Sequence, residues 1–271
     1  MVPALSIFFM FISGIIAFGL PIVTFLIWRK KYNLHVVPLF VGAATFIVFA
    51  LILQQIMHFI VLRPGIDGNI DLAISNPALF IVYGIFAAGI FEETGRFIAF
   101  HLLKKKHSGI GTGLSFGIGH GGIEAMWLVG FTMINNIVLS AMINLGIVGI
   151  LGDDPTVLTS IDALKNIDST MFLAGGFERI VAVAVHISLS MFVLCAVKVK
   201  GKLWLFPAAI VLHAIVNIAP AMYQLGFIEN IWLVEGLIVI PTVLIALAAY
   251  YICKIIKRNA EAETPHTESP A

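Results

Sequence analysis

Of 271 residues, 60% are hydrophobic and only 11% are charged, and the mean hydropathy is +1.03, a balance that excludes a soluble globular chain because its surface could not be made polar. A net charge of +1 leaves no global field for nucleic acid. The two cysteines, Cys195 and Cys253, lie in apolar segments without metal-ligand spacing, which argues against a disulfide framework or a thiolate zinc site.

Lipid is therefore the solvent for most of the chain, and the expected fold is all-α: a polytopic helical membrane protein with about seven to eight transmembrane helices in a single bundle. A bilayer core of about 30 Å needs roughly 20 apolar residues per helix. In chain order the apolar segments run at about 3 to 28, 36 to 62, 78 to 103, 110 to 130, 132 to 151, 172 to 197, 203 to 223 and 230 to 256. The first has no basic stretch before Arg29 and reads as a retained spanning helix. Residues 1 to 256 make one domain, and the polar stretch 257 to 271, with two prolines, is expected to be a disordered tail.

Basic residues cluster after the first segment (Arg29, Lys30, Lys31), after the third (Lys104, Lys105, Lys106), around Lys198 to Lys202, and after the last (Lys254, Lys257, Arg258). The positive-inside rule puts all four clusters, and the C-terminus, in the cytoplasm. The stretch from 152 to 171 carries Asp153, Asp154, Asp162 and Asp168 and suits the outside. Eight simple spans conflict with this arrangement, because an odd number of crossings must separate Lys106 from the acidic stretch. The preferred reading is seven crossings plus one irregular segment, with 110 to 151 crossing once; failure of the charge rule at one loop is the alternative.

Ionisable groups inside hydrocarbon cost several kcal/mol and by default mark function. Segment three carries Glu92, Glu93 and Arg96; the fourth His120 and Glu124, among Gly117, Gly119, Gly121 and Gly122; the sixth Glu178, Arg179 and His186; the seventh His213 and Asn217. Glu92, His120, His186 and His213 are each eleven or twelve residues from the nearest basic loop, hence roughly 16 to 18 Å deep at about 1.5 Å per residue. Four helices place acid-base groups in one layer near the midplane. Glu92 and Arg96, His120 and Glu124, and His213 and Asn217 are i,i+4 pairs on single helical stripes. The glycines around His120 are expected to permit close backbone approach or a kink that admits water.

Each group also has a structural reading. Glu93 with Arg96 reads as an ion pair, since only one of two adjacent glutamates can point into a site. Glu178 with Arg179 suits an interface near a helix start, His101 an interfacial position, and His58 near Gln54 and Gln55 an interhelical hydrogen bond or an outer mouth. For Glu92, His120 and His213 the functional reading leads. Glutamate and histidines at one depth suit a water activated by a general base or by a divalent metal, with Asn217 donating to an oxyanion. There is no His-Glu-x-x-His, no Gly-x-Ser-x-Gly and no Asp inside a span, so zincin, serine-hydrolase and aspartyl signatures are missing.

The ordered set Glu92-Glu93-Thr-Gly-Arg96, Phe116-x-x-x-His120 and His213-x-x-x-Asn217 resembles the three-motif pattern of the CAAX prenyl protease and bacteriocin-processing membrane proteases. Gly119-His120-Gly121-x-x-Glu124 and Phe177-Glu178-Arg179 with His186 resemble the YhfC-type intramembrane metalloprotease branch of that superfamily. The resemblance covers segments three to seven. It implies that Glu92 polarises the attacking water, His120 holds or orients it, and His213 with Asn217 stabilises the oxyanion. Glu93, Arg96, Glu124, Glu178, Arg179 and His186 would be supporting residues. The ligand set for a zinc ion would be drawn from His120, His213, Glu92 and His186, and a metal-free glutamate mechanism is equally compatible. Two residues separate the glutamate pair from Arg96, where the superfamily commonly has three, so Arg96 is expected on a different face.

The function expected is an intramembrane peptidase acting on a peptide or membrane-protein substrate, with lipid as its surroundings and, by the resemblance, a bacterial cytoplasmic membrane as its location. An ion- or proton-coupled transporter is the main alternative, and a non-catalytic membrane partner with a protease-like fold is the third reading.

Overall fold

Uncharged runs of Leu, Ile, Val, Phe and Ala satisfy their backbone polar groups in hydrocarbon only as helices. The computed structural model describes residues 1–65, 69–107, 109–152 and 154–263. Among these, the elements are α1 (Ala4–Tyr32), α2 (Val36–Leu62), the short α3 (Asp71–Ser75), α4 (Pro77–Leu103), α5 (Ile110–Leu145), α6 (Pro155–Asn166), α7 (Ser169–Lys198), α8 (Leu205–Gln224) and α9 (Ile231–Glu263). A single turn of 3₁₀ helix, Val148–Leu151, precedes α6. Seven of these helices, all but α3 and α6, are long and apolar enough to cross a membrane. Their outward residues are large and apolar, such as Leu26, Phe40, Phe59, Leu102 and Leu244, the pattern of a lipid-facing surface.

The apolar stretches 110 to 130 and 132 to 151 are one helix. They join through a π-helical turn, Met126–Gly130, so the chain passes the boundary without breaking. Seven alternating spans then place all four basic clusters at one end and α6 at the other, in line with the single-crossing reading. Contacts at both ends fit this alternation. At the basic end the His35 amide donates to Ser115 Oγ at 3.0 Å; at the opposite end the Val2 amide donates to Asn144 Oδ1 at 2.7 Å. Helix α9 also continues to Glu263, past the expected start of a tail at 257. Lys, Arg, Ala and Glu dominate this stretch, and they hold a helix in water. The rest of the expected tail, 264 to 271, lies outside the described residues, as does Asp153.

The acidic stretch is largely capping chemistry. Asp154 accepts from the Thr156 amide at 2.8 Å before Pro155 opens α6, and Asp168 accepts from the Thr170 hydroxyl and amide, both at 2.7 Å, to open α7. These bonds satisfy first-turn N–H groups. They also hold both carboxyls below the usual aspartate range.

Helix α7 is the most enclosed span and packs against α1, α4, α5, α8 and α9. Helix α5 lies between α2 and α7, and glycine decides how closely. A Cβ on Gly119 would fall 1.9 Å from the Leu39 carbonyl oxygen of α2, and one on Gly117 would fall 2.4 Å from Ile187 Cα of α7. Both obstacles are backbone and cannot rotate away. Of the two expectations for the glycines around His120, close backbone approach is the one found and the kink is not: the helix stays regular over Ile110–Ala125, because the bare faces are used for packing. Gly119→Leu should therefore cost more than about 4 kcal/mol. Its monodisperse fraction in size-exclusion chromatography should fall sharply, while Gly84→Ala, where a Cβ meets nothing within 4 Å, should behave as wild type. Equal behaviour of the two variants would contradict this packing.

Candidate functional site

Four helices bring their ionisable groups together. Glu92 (α4) and His120 (α5) meet directly, with His120 Nε2 2.8 Å from Glu92 Oε2. His186 (α7) lies beside both: its Nδ1 is 3.8 Å from the same Glu92 oxygen, and its ring centroid is 4.7 Å from that of His120. His213 (α8) follows, 5.6 Å from His186 between ring centroids. All four are buried. Phe46 of α2 caps the group with an edge-on ring 5.4 Å from His120.

Adjacent glutamates on one helix point about 100° apart, and here they separate into two roles. Glu92 lines a cavity of about 260 Å³ together with Glu124, Glu178, Arg179, His186, His213, Asn217 and Gln54. Glu93, fully buried behind this wall, takes both oxygens to the Arg96 guanidinium and accepts from His213 Nδ1 at 2.9 Å. A carboxylate held by arginine is an acceptor, so His213 Nδ1 carries a proton and Nε2 is the nitrogen left for a ligand. Arg96 reaches further and donates from Nη2 to His186 Nδ1 at 3.0 Å. Arginine cannot accept, so the His186 proton sits on Nε2, 2.5 Å from Glu124 Oε2, and Nδ1, 3.8 Å from Glu92, is the nitrogen that a metal ion would take over from Arg96. Arg179 ties Glu124 at 2.8 Å to Glu178 at 2.5 Å.

The structure thus brings together the candidate catalytic and supporting residues of these four helices, in distinct positions. Glu92, His120 and His186 each offer a ligand atom within 4.8 Å of the others and could hold a metal ion; His213 stands next to this trio, engaged by Glu93. Arg96 pairs with Glu93, the ion pair read from their spacing, and links it to His186. Asn217 is on the cavity wall, one turn beyond His213. Three further polar residues fall outside the expected set. Gln54 and Gln55 of α2 line the cavity where the helix widens into a π segment, Ile47–Gln54; Gln54 Nε2 meets His58 Nε2 at 3.0 Å, and His58 Nδ1 meets Tyr83 at 2.9 Å. Glu235 of α9 is buried with Oε2 unpartnered, and its signal was a lone carboxylate inside an apolar run.

The donor set suits a divalent ion. Two imidazoles and a carboxylate are borderline ligands that zinc accepts while keeping a position open. His120 Nδ1 is buried with no hydrogen-bond partner. Glu92 meets imidazoles alone, with no lysine or arginine bonded to it among the described residues, so a divalent ion there would meet an unpaired carboxylate.

Residues 16–238 match the family described as YhfC intramembrane metalloprotease. The chain belongs to this family. A member from Bacillus subtilis (strain 168), described as uncharacterized membrane protein YhfC, is 38% identical over 258 residues, covering 94% of this chain and 98% of its own. No solved structure matches the chain. In this YhfC-family protein the matched region spans α4, α5, α7 and α8, the four helices that build the buried cluster.

Proposed function

We propose that this YhfC-family protein is an intramembrane endopeptidase that hydrolyses a peptide bond in or near the bilayer, with a divalent metal, zinc by donor type, held by Glu92, His120 and His186. The observation that carries the reading is the buried Glu/His/His cluster opening on a cavity whose wall also presents His213 and Asn217. When bound, the metal would supply Lewis-acid polarisation of a carbonyl oxygen.

The protein's own groups account for the rest. Both imidazole contacts of Glu92 use Oε2, which leaves Oε1 unengaged by them to take the proton of an attacking water. His120 orients that carboxylate. Glu93 fixes the His213 tautomer, so Nε2 is available to take up and return a proton, and in its protonated form it donates to the oxyanion. The Asn217 amide supplies a second donor. Arg96 holds Glu93, and Arg179 holds Glu124, whose other oxygen faces His186 Nε2 and leaves Nδ1 on the Glu92 side. Phe46 and the surrounding apolar walls limit water to what the cavity admits.

The test is cleavage of transmembrane-peptide substrates by purified protein in proteoliposomes, with fragments identified by mass spectrometry. Asn217→Ala should lower kcat by about 10²–10³, the usual loss for one oxyanion donor, with little change in KM. Uptake of solute or ion flux with no cleavage of any peptide would instead select a transporter.

A further inference from the structure

At the end of the bundle that carries the basic clusters, α1, α5, α7 and α9 leave a cleft of about 380 Å³. Its deeper wall is apolar, formed by Leu114, Ile187, Met191 and Ala249, and its rim carries Trp28, Tyr32 and Tyr250 with Lys254 and Lys257. Lys254 Nζ lies 4.5 Å from the Tyr250 ring centroid and 5.2 Å from that of Tyr251, so the cation is held at the rim by aromatic faces. The cleft shares Tyr32, Ile110 and Lys257 with a second hollow of about 250 Å³ bounded by His35, Gly109 and Thr112. That hollow is the start of α5, which has no side-chain cap and so presents the positive end of the helix dipole. The connections 32–36, 103–110 and 198–205 on this side contain no acidic residue.

An apolar slot at acyl depth, an aromatic rim at interface depth and two lysines above it describe one molecule. We propose that this cleft binds a phospholipid with an anionic headgroup, one acyl chain lying along Leu114, Ile187 and Met191 and the phosphate seated by Lys254, Lys257 and the first turn of α5. Basic hollows between spans take anionic headgroups in this way. A zwitterionic lipid would fill the slot but leave the lysines opposed by its own cation. A free anion would meet the lysines without using the slot. Bound there, the lipid bridges α9 to α1, α5 and α7 and braces the helix that carries His120.

The test is lipid binding to the full chain in detergent, followed by native mass spectrometry and thermal shift. The probes are dioleoyl phosphatidylglycerol, dioleoyl phosphatidylcholine and inorganic phosphate. Phosphatidylglycerol should bind at least about tenfold more tightly than phosphatidylcholine, and phosphate alone should give no shift. Each lysine near an anionic group is worth roughly fivefold in affinity. Lys254→Gln with Lys257→Gln should therefore lower phosphatidylglycerol affinity by roughly twentyfold and leave phosphatidylcholine unchanged. Both lysines are exposed, so folding is expected to be preserved. The same charge change at Lys104 and Lys105 should alter the affinity less than about twofold. Ala246→Trp, a neutral plug in the apolar half, should weaken phosphatidylglycerol by at least about fivefold. Equal binding of the two lipids, equal losses from the two lysine pairs, or no effect of the plug would overturn the site. A phosphate shift matching that of the lipid would make a soluble anion the ligand and overturn the lipid.

Discussion

Glu92→Gln is expected to fold as wild type and to lose about 10² to 10⁴ in peptidase kcat. Glutamine has the shape of glutamate and can keep one hydrogen bond to His120, which the glutamate meets at 2.8 Å, so the buried packing is preserved. It cannot take a proton, and general-base catalysis is worth about that range. It also weakens the hold on a divalent ion, since the carboxylate is the charged member of the trio. The measurement is single-turnover cleavage in proteoliposomes, beside the circular dichroism and thermal midpoint of the same preparation. Turnover within about threefold of wild type, in a variant folded as wild type, would remove Glu92 from the chemistry.

The second large effect is on stability. Arg96 and Glu93 are both fully buried and paired, and Arg96 also fixes His186. Arg96→Met leaves the Glu93 carboxylate in a dry interior with only His213 to meet it, and breaking a buried pair in this way costs about 3–5 kcal/mol. Adding Glu93→Gln should recover much of the loss, because the stranded charge is then gone. The double variant should nevertheless remain impaired in catalysis, since the His213 proton is no longer held on Nδ1 by a carboxylate. A thermal-unfolding cycle of the two single variants and the double variant checks this. Additive losses would show that the two side chains do not act as a pair.

These two residues also show what was legible in the sequence and what was not. The depth of Glu92, His120, His186 and His213 follows from counting residues to the basic loops, because a helix advances by a fixed rise. Their convergence does not follow from the count, since it depends on how each helix is rotated against its neighbours. The division of labour between Glu92 and Glu93 was only half legible. An ion pair of Glu93 with Arg96 at i,i+3 can be read from spacing, but the second link, from Glu93 to His213 across helices, cannot. His186 stands in the midplane layer and among the possible metal ligands by sequence, but its partners Arg96, Glu92 and Glu124 come from two other helices and cannot be read from spacing.

The fold was read more fully than the site. Hydropathy outlines every span, and the charge clusters favour an odd number of crossings between Lys106 and the acidic stretch, which the continuous α5 supplies. What hydropathy cannot see is that α5 turns through a π segment at Met126–Gly130 without ending. The glycines of α5 carried an ambiguous signal, since the same residue type serves a kink or a close contact. The Leu39 carbonyl against Gly119 decides for contact. The spacing of Gln54 pairs it with His58; only the approach of α2 to α5 puts it on the cavity wall.

Whether Glu92, His120 and His186 hold a metal is tested most directly by elemental analysis of protein purified in detergent without chelator, comparing wild type with Glu92→Ala, His120→Ala, His186→Ala and His213→Ala. Close to one divalent metal per chain is expected in wild type and in His213→Ala, and little or none in the other three. A metal-free wild type, or metal retained when Glu92, His120 or His186 is removed, would contradict that assignment.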